Sequence, residues 1–199
     1  ADTYFVGQLG TLPLAAIGFT FPVAFTMVAI GLGVGIGTSS VVARLLGTGD
    51  HRAVQRITTH ALLLGGLLGM ILLSIGLATI EPVFRALGAD ERTLPLIREY
   101  MRPYYLGSVL FVLPMIGNFS LRAAGESKVP AIILSLSAVV NIVLDPLLIF
   151  GLWGFPRLEL QGAAIATVVA NAVTVLASLT ILYRRERMIR GRYVGLDHL

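Results

Sequence analysis

Five stretches of apolar residues, each about as long as a bilayer crossing requires, constrain the fold of this chain more than any other feature. They define predicted helices at about 13–43, 53–80, 95–122, 128–150 and 161–183. Only 13% of the 199 residues are charged, whereas a soluble domain typically has about 25%. Lipid offers the backbone no hydrogen-bond partner, so segments of this length are expected to be helical. The sequence therefore predicts an all-α polytopic membrane protein without β-sheet.

A single carboxylate interrupts the fourth stretch. Asp145 lies in the run from Val129 to Phe150, and a charged side chain near the centre of a membrane helix costs roughly 2.5–3.5 kcal/mol. Asn141 precedes it by four residues, so both polar groups share one helix face. Pro146 follows directly and permits a kink. We expect this face to meet a cavity, an ion or a substrate. The alternative is a protonated Asp145 bonded to Asn141 in a purely structural pair.

The basic residues divide unequally between alternate connections. Ten of the fifteen lie on one set of loops, which the positive-inside rule assigns to the cytoplasm: Arg44, Arg52, Arg56, Arg122, Lys128, Arg184, Arg185, Arg187, Arg190 and Arg192. The other five are offset by acidic neighbours: Arg85, Arg92, Arg98, Arg102 and Arg157. Residues 184–199 are thus predicted to be a cytoplasmic basic tail. Phe84 to Pro103 is predicted to be an interfacial amphipathic segment.

The N-terminal residues are typical of the end of a helix. The chain opens on Ala1 and Asp2 without Met, and residues 1–10 are expected to be the stub of a first helix that is mostly missing. Five complete spans would leave the two ends on opposite sides of the membrane. Restoring the first helix makes six spans and places both ends in the cytoplasm.

Composition excludes several classes of function. The chain has no Cys, so disulfides and thiol chemistry are excluded, and its three His residues form no ligand-spaced cluster. Its net charge of +4 does not indicate nucleic-acid binding, because the Arg residues gather at span ends. Neither a nucleophile–base pair nor an HExxH-like motif is present, so an enzyme is not expected.

Glycines alternate along the predicted helix over residues 13–43. Gly31 and Gly35, and likewise Gly33 and Gly37, are separated by four residues, a spacing that lets membrane helices approach closely. Static close packing is the favoured interpretation. A helix that slides or bends during transport is the alternative.

Three groups of residues resemble one family of membrane transporters. The first is Asn141-x-x-x-Asp145-Pro146-x-x-Ile149-Phe150-Gly151, followed by Gly162-Ala163-Ala164-Ile165-Ala166-Thr167. The second is Asp2-x-x-Phe5-Val6-Gly7-x-Leu9-Gly10-x-x-x-Leu14-Ala15-Ala16, and the third is Arg122-Ala123-Ala124-Gly125-x-x-Lys128. In this order and at these distances they resemble the MATE (multidrug and toxic compound extrusion) transporters.

The resemblance implies a twelve-helix transporter made of two six-helix lobes around a central cavity. Residues 1–190 would be the N-terminal lobe, with residues 184–199 leading toward a C-terminal lobe of the same polypeptide. The implied site for a coupling cation or proton and for substrate consists of Asp2, Asn118, Asn141, Asp145 and Thr167. A Na⁺ ion would lie at Asp2, Asn141, Asp145 and Thr167, and no other cofactor is implied.

The expected function is export of drugs or other cationic or amphiphilic compounds, driven by H⁺ or Na⁺, in a multi-pass protein of the cell (inner or plasma) membrane. One alternative is a lipid-linked oligosaccharide flippase of the same superfamily. It is disfavoured because pyrophosphate needs basic groups, and the mapped intramembrane charges are acidic. A non-transporting membrane scaffold is a further alternative, which Asp145 disfavours because packing alone gives no reason for a carboxylate there.

Overall fold

The helices of this chain form one antiparallel bundle, seen in a computed structural model that describes residues 2–184 and residue 188. Within these residues there is no strand, and the predicted all-α membrane fold is confirmed. The helices run as follows: α1 Asp2–Gly7, α2 Thr11–Gly47, α3 His51–Ala86, α4 Thr93–Leu106, α5 Ser108–Ala123, α6 Lys128–Phe150 and α7 Glu159–Arg184. A short 3₁₀ turn, Leu152–Gly154, joins α6 to α7.

Four helices, α2, α3, α6 and α7, are long and apolar enough to cross a membrane, and the pair α4 and α5 makes a fifth span if it is counted as one. Large apolar side chains remain exposed on these helices, including Leu63, Leu67 and Ile75 of α3. A soluble protein rarely exposes so much contiguous apolar surface. These faces are suited to contact with lipid tails.

The span formed by α4 and α5 is bent by 50°. The sequence predicted one helix over 95–122, but the structure divides it at Gly107. A Cβ atom at Gly107 would lie 2.5 Å from Val168 Cγ2, so α7 approaches the bend closely because Gly107 has no side chain. The amide of Leu110 donates to the Gly107 carbonyl at 2.8 Å, and this bond starts the new helix.

The segment predicted to lie at the membrane interface packs one face against the bundle, and its interfacial position stays a prediction. Phe84, Ile97 and Met101 have no exposed surface and belong to the main core cluster, to which α1, α2, α6 and α7 also contribute. Only one face of α4 is polar, and there Arg98 is paired with Glu81 of α3. The charges of this segment therefore indicate an amphipathic helix, and its apolar face covers other helices.

Charged pairs lie at the connection between α3 and α4 and at the connection between α6 and α7. Arg85 lies 2.6 Å from Glu91, and Arg157 lies 3.1 Å from Glu159. Asp90, in the loop before α4, accepts hydrogen bonds from the amide of Thr93 at 2.8 Å and from its hydroxyl at 2.7 Å. These bonds lower the pKa of Asp90 below its ordinary value.

The alternating glycines of α2 have two different environments. Cβ atoms at Gly31 and Gly35 would press on Met115 and Phe119 of α5, whereas Gly33 and Gly37 have no such neighbour within 4 Å. The first two glycines thus permit close contact between α2 and α5. Most of the predicted basic tail, including Arg185, Arg187, Arg190 and Arg192, lies outside the described residues.

Candidate cation-binding site

The hairpin of α6 and α7 positions most of the candidate polar side chains. Gly151 ends α6 in the left-handed conformation, with φ 73°, which glycine adopts without strain. The amide of Leu158 then donates to the carbonyl of Leu148 at 2.9 Å. A Cβ atom at Gly162 would lie only 2.5 Å from that carbonyl oxygen. The two helices are thus held in close contact at Leu148, within one helical turn of Asp145.

A continuous chain of hydrogen bonds connects three helices beside this hairpin. Asn141 of α6 donates through Nδ2 to Asp145 Oδ1 at 3.5 Å and to Thr167 Oγ1 of α7 at 3.2 Å. The hydroxyl of Thr167 donates to Asp2 Oδ2 of α1 at 2.7 Å. Four of the five residues predicted for the site are therefore gathered by direct hydrogen bonds.

Asp145 occupies the most enclosed position in this group. Its side chain has no exposed surface, and its Oδ2 atom has no hydrogen-bond partner among the described residues. A buried carboxylate oxygen without a partner is costly, since a charge away from water needs a counter-charge or a proton. The orphan oxygen is the position at which a proton or a cation would relieve this cost.

The fifth candidate, Asn118, takes part in a different contact. It lies on α5, is buried, and accepts through Oδ1 a hydrogen bond from the Ser178 hydroxyl of α7 at 3.3 Å. The described hydrogen bonds do not join it to the group around Asp145. Its observed contact is the helix–helix bond that a membrane Asn commonly makes.

Two neighbours of the group were not anticipated from the sequence. Tyr100 of α4 is buried and interacts electrostatically with both Asp2 and Asp145. Asn171 donates through Nδ2 to the Thr167 carbonyl at 2.8 Å, one turn along α7. The apolar periodicity of α4, with Ile97, Tyr100 and Met101 on its buried side, is the signal that would have placed Tyr100 inside the bundle.

The chemistry of these donors suits a proton or an alkali cation. Two carboxylates, a hydroxyl and an amide supply oxygen ligands, which hard cations prefer. In the described part of the chain, no cluster of three or more His, Cys, Asp or Glu side chains is suited to a metal ion. Asp2 and Asp145 are linked through two neutral side chains. Because two negative charges close together repel each other, one bound positive charge would stabilise the group.

The MatE family model matches residues 1–147. Over all 199 residues the chain is 46% identical to a FAD transporter of Shewanella oneidensis and covers 44% of that relative. Over 194 residues it is 29% identical to the probable multidrug resistance protein YoeA of Bacillus subtilis, covering 95% of this chain and 42% of the relative. The chain thus spans less than half the length of these curated relatives.

Solved structures give the same result for the fold. A MATE crystal structure in the bent conformation superimposes with a TM-score of 0.89 at 31% identity, over 98% of this chain and 44% of that one. An inward-facing multidrug resistance MATE transporter superimposes with a TM-score of 0.87 at 32% identity, over 96% of this chain and 44% of that one. The helical bundle is that of a polytopic membrane protein of the MATE fold. The chain belongs to the MATE family, and its length corresponds to one lobe of those structures.

Proposed function

We propose that this chain is the N-terminal lobe of an exporter coupled to H⁺ or Na⁺, with Asp2, Asn141, Asp145 and Thr167 as the coupling-cation site. The observation that supports this most directly is the fully buried Oδ2 of Asp145, at the end of the hydrogen-bond chain, which has no hydrogen-bond partner among the described residues. A purely structural Asp145–Asn141 pair gives no reason for the additional link through Thr167 to a second carboxylate 143 residues before Asp145.

The proposed mechanism follows from the charge of the group. Without a bound cation, two carboxylates in a poorly solvated site repel each other, and Asn141 and Thr167 relieve only part of this repulsion. A bound proton or Na⁺ removes the repulsion and draws α1, α6 and α7 together. If drug binding favours the arrangement without the cation, the two ligands compete, and a cation gradient drives export.

For the substrate we propose drug-like cationic or amphiphilic compounds, because the relatives include multidrug exporters such as YoeA. The higher identity to a protein named FAD transporter supports a second candidate, the anionic dinucleotide FAD. The two candidate substrates differ in charge, so transport assays on a single preparation can discriminate between them. The partners in either case are the lipid bilayer and a C-terminal lobe of the same polypeptide, and the C-terminal end of this chain is assigned to the cytoplasm.

The test uses the full-length transporter in proteoliposomes under an imposed H⁺ or Na⁺ gradient. Efflux of a fluorescent organic cation is measured in parallel with release of FAD. We expect Asp145→Asn to insert normally yet lose gradient-driven efflux, because the amide keeps the size of the side chain but cannot bind a proton or neutralise Na⁺. Asp2→Asn should cause a similar loss, and the double variant should be little worse, since the two carboxylates act as one site.

The matched control is Glu99→Gln, which removes one carboxylate from an exposed position on α4 and should leave efflux unchanged. Wild-type efflux by Asp145→Asn at equal incorporation would refute the coupling role. FAD release without organic-cation efflux would replace the first substrate class by the second while leaving the coupling site intact.

A further inference from the structure

An open apolar groove runs along the outer surface of the bundle, away from the polar group. Its volume is about 690 Å³, and it lies between α3, α5 and α7. The following residues line it: Thr59, Leu62, Leu63, Gly66, Leu67, Met70, Val109, Leu113, Leu179 and Tyr183. Only Thr59 and Tyr183 carry polar atoms in their side chains, and both lie at the same end.

Two adjacent glycines of α3 have different environments beside the groove. A Cβ atom at Gly66 would meet no heavy atom within 4 Å, whereas a Cβ at the adjacent Gly65 would press on Ile116. Gly65 therefore permits close packing of α3 against α5, and Gly66 leaves space open to the outside. Around this space Leu63 and Leu67 are more than half exposed.

The length of the groove corresponds to one leaflet of a bilayer. Thr59 and Met70 mark its two ends along α3 and are eleven residues apart, or about 16 Å at the rise of an α-helix. Half of a hydrocarbon core of about 30 Å is about 15 Å. The groove thus extends from the membrane interface at Thr59 to about the middle of the bilayer.

Two basic residues lie close in the chain to the polar end of the groove. Arg56 is about one helical turn before Thr59, and Arg184 directly follows Tyr183; both residues are exposed. Basic residues at this level attract the phosphate of anionic lipids, and Tyr183 has the amphipathic character of side chains at the headgroup level. The polar end belongs to the side that the positive-inside rule assigns to the cytoplasm.

We propose that this groove binds one anionic phospholipid of the cytoplasmic leaflet, with an acyl chain along Gly66 and the phosphate between Arg56 and Arg184. A zwitterionic lipid such as phosphatidylcholine would also fill the apolar part, but its phosphate is already balanced by its own ammonium group, so it would neutralise the two guanidinium groups less well. The proposal concerns a surface distant from Asp145 and does not depend on which substrate or ion is transported.

The test is native mass spectrometry of the full-length transporter, titrated with phosphatidylglycerol or with phosphatidylcholine of identical acyl chains. The wild type should retain one phosphatidylglycerol with clear preference over phosphatidylcholine. Gly66→Phe should abolish this binding, because the ring occupies the groove, whereas Leu64→Phe, on the same helix but outside the groove, should not.

The headgroup is tested separately by the double variant Arg56→Gln, Arg184→Gln. Phosphatidylglycerol affinity should fall roughly 30-fold, toward that of phosphatidylcholine. The control double variant Arg44→Gln, Lys128→Gln removes the same charge from the same side of the membrane and should retain the preference. Because these substitutions change only exposed residues, the comparison of the two double variants still tests the proposal if Gly66→Phe fails to fold. Equal affinity of the wild type for both lipids, or an equal loss in both double variants, would overturn the proposal, as would a second protein copy bound in place of lipid.

Discussion

Replacement of Thr167 by Val tests whether the hydrogen-bond chain is part of the coupling site. Val keeps the shape of the side chain but removes the hydroxyl that donates to Asp2 Oδ2 at 2.7 Å and accepts from Asn141 Nδ2 at 3.2 Å. A hydrogen bond to a charged group contributes about 1.5–3 kcal/mol. At 1.4 kcal/mol per factor of ten, the affinity for the coupling cation should change roughly 10- to 150-fold.

The ion whose dependence changes identifies the coupling cation. For Na⁺, the loss of an oxygen ligand should raise the half-saturating Na⁺ concentration for efflux. For H⁺, the variant should instead change the pH dependence of efflux and leave efflux insensitive to Na⁺. Both are measured as initial efflux rates from proteoliposomes across a series of Na⁺ concentrations or pH values.

Thr174→Val is the matched control. Thr174 is also buried on α7, but among the described residues its hydroxyl donates within its own helix, to the Ala170 carbonyl at 3.1 Å. Thr167→Ser restores the hydroxyl without the methyl group and should recover most of the wild-type affinity. If Thr167→Val and Thr174→Val give the same cation dependence, the hydroxyl of Thr167 has no role in coupling and the reasoning is refuted.

Two further predictions concern stability. Gly162→Ala should lower the free energy of unfolding of the purified protein by about 1–3 kcal/mol through overpacking, since the new Cβ would lie 2.5 Å from the Leu148 carbonyl oxygen. The control Gly66→Ala, whose Cβ would have no heavy atom within 4 Å, should leave the stability unchanged. Equal melting temperatures of the two variants in detergent would contradict the prediction. Asp90 has a lowered pKa in the folded state, so its stabilising effect is complete above its ordinary pKa of about 3.9 and is lost as the pH falls through the lowered value. The protection of the Thr93 amide, taken as the ratio of the intrinsic to the observed exchange rate at each pH, should therefore fall in that acidic range. Asp90→Ala should give a low protection that does not change with pH; a fall in protection that persists in the variant would assign it to another group.

The number and class of the helices follow from hydropathy, because a bilayer sets their length and polarity. Hydropathy did not predict the bend at Gly107. That bend depends on contact with Val168, which is 61 residues away in the chain, and such a contact leaves no local signal. The charges of Arg98 and Arg102 predicted an amphipathic interfacial segment, but they did not predict which helices its apolar face would contact.

The candidate site was predictable to different degrees. Helical spacing alone places Asn141 and Asp145 on one face, but only the family resemblance connected them with Asp2 and Thr167. Periodicity does not determine which neighbouring helix a lone buried amide contacts. The bond of Asn118 to Ser178 therefore had to come from the structure.

The bond between Thr167 and Asp2 joins residues that are 165 positions apart, which has a consequence for biosynthesis. At about 5–20 residues per second, a ribosome makes Thr167 roughly 8–33 s after Asp2. During this interval Asp2 cannot have its observed partner, and Asp145 enters the membrane before α7 exists. Completion of the polar group therefore coincides with insertion of the last helix described here. An assembly factor or protease that recognises unpaired carboxylates within the bilayer could distinguish unfinished chains from finished ones by this bond.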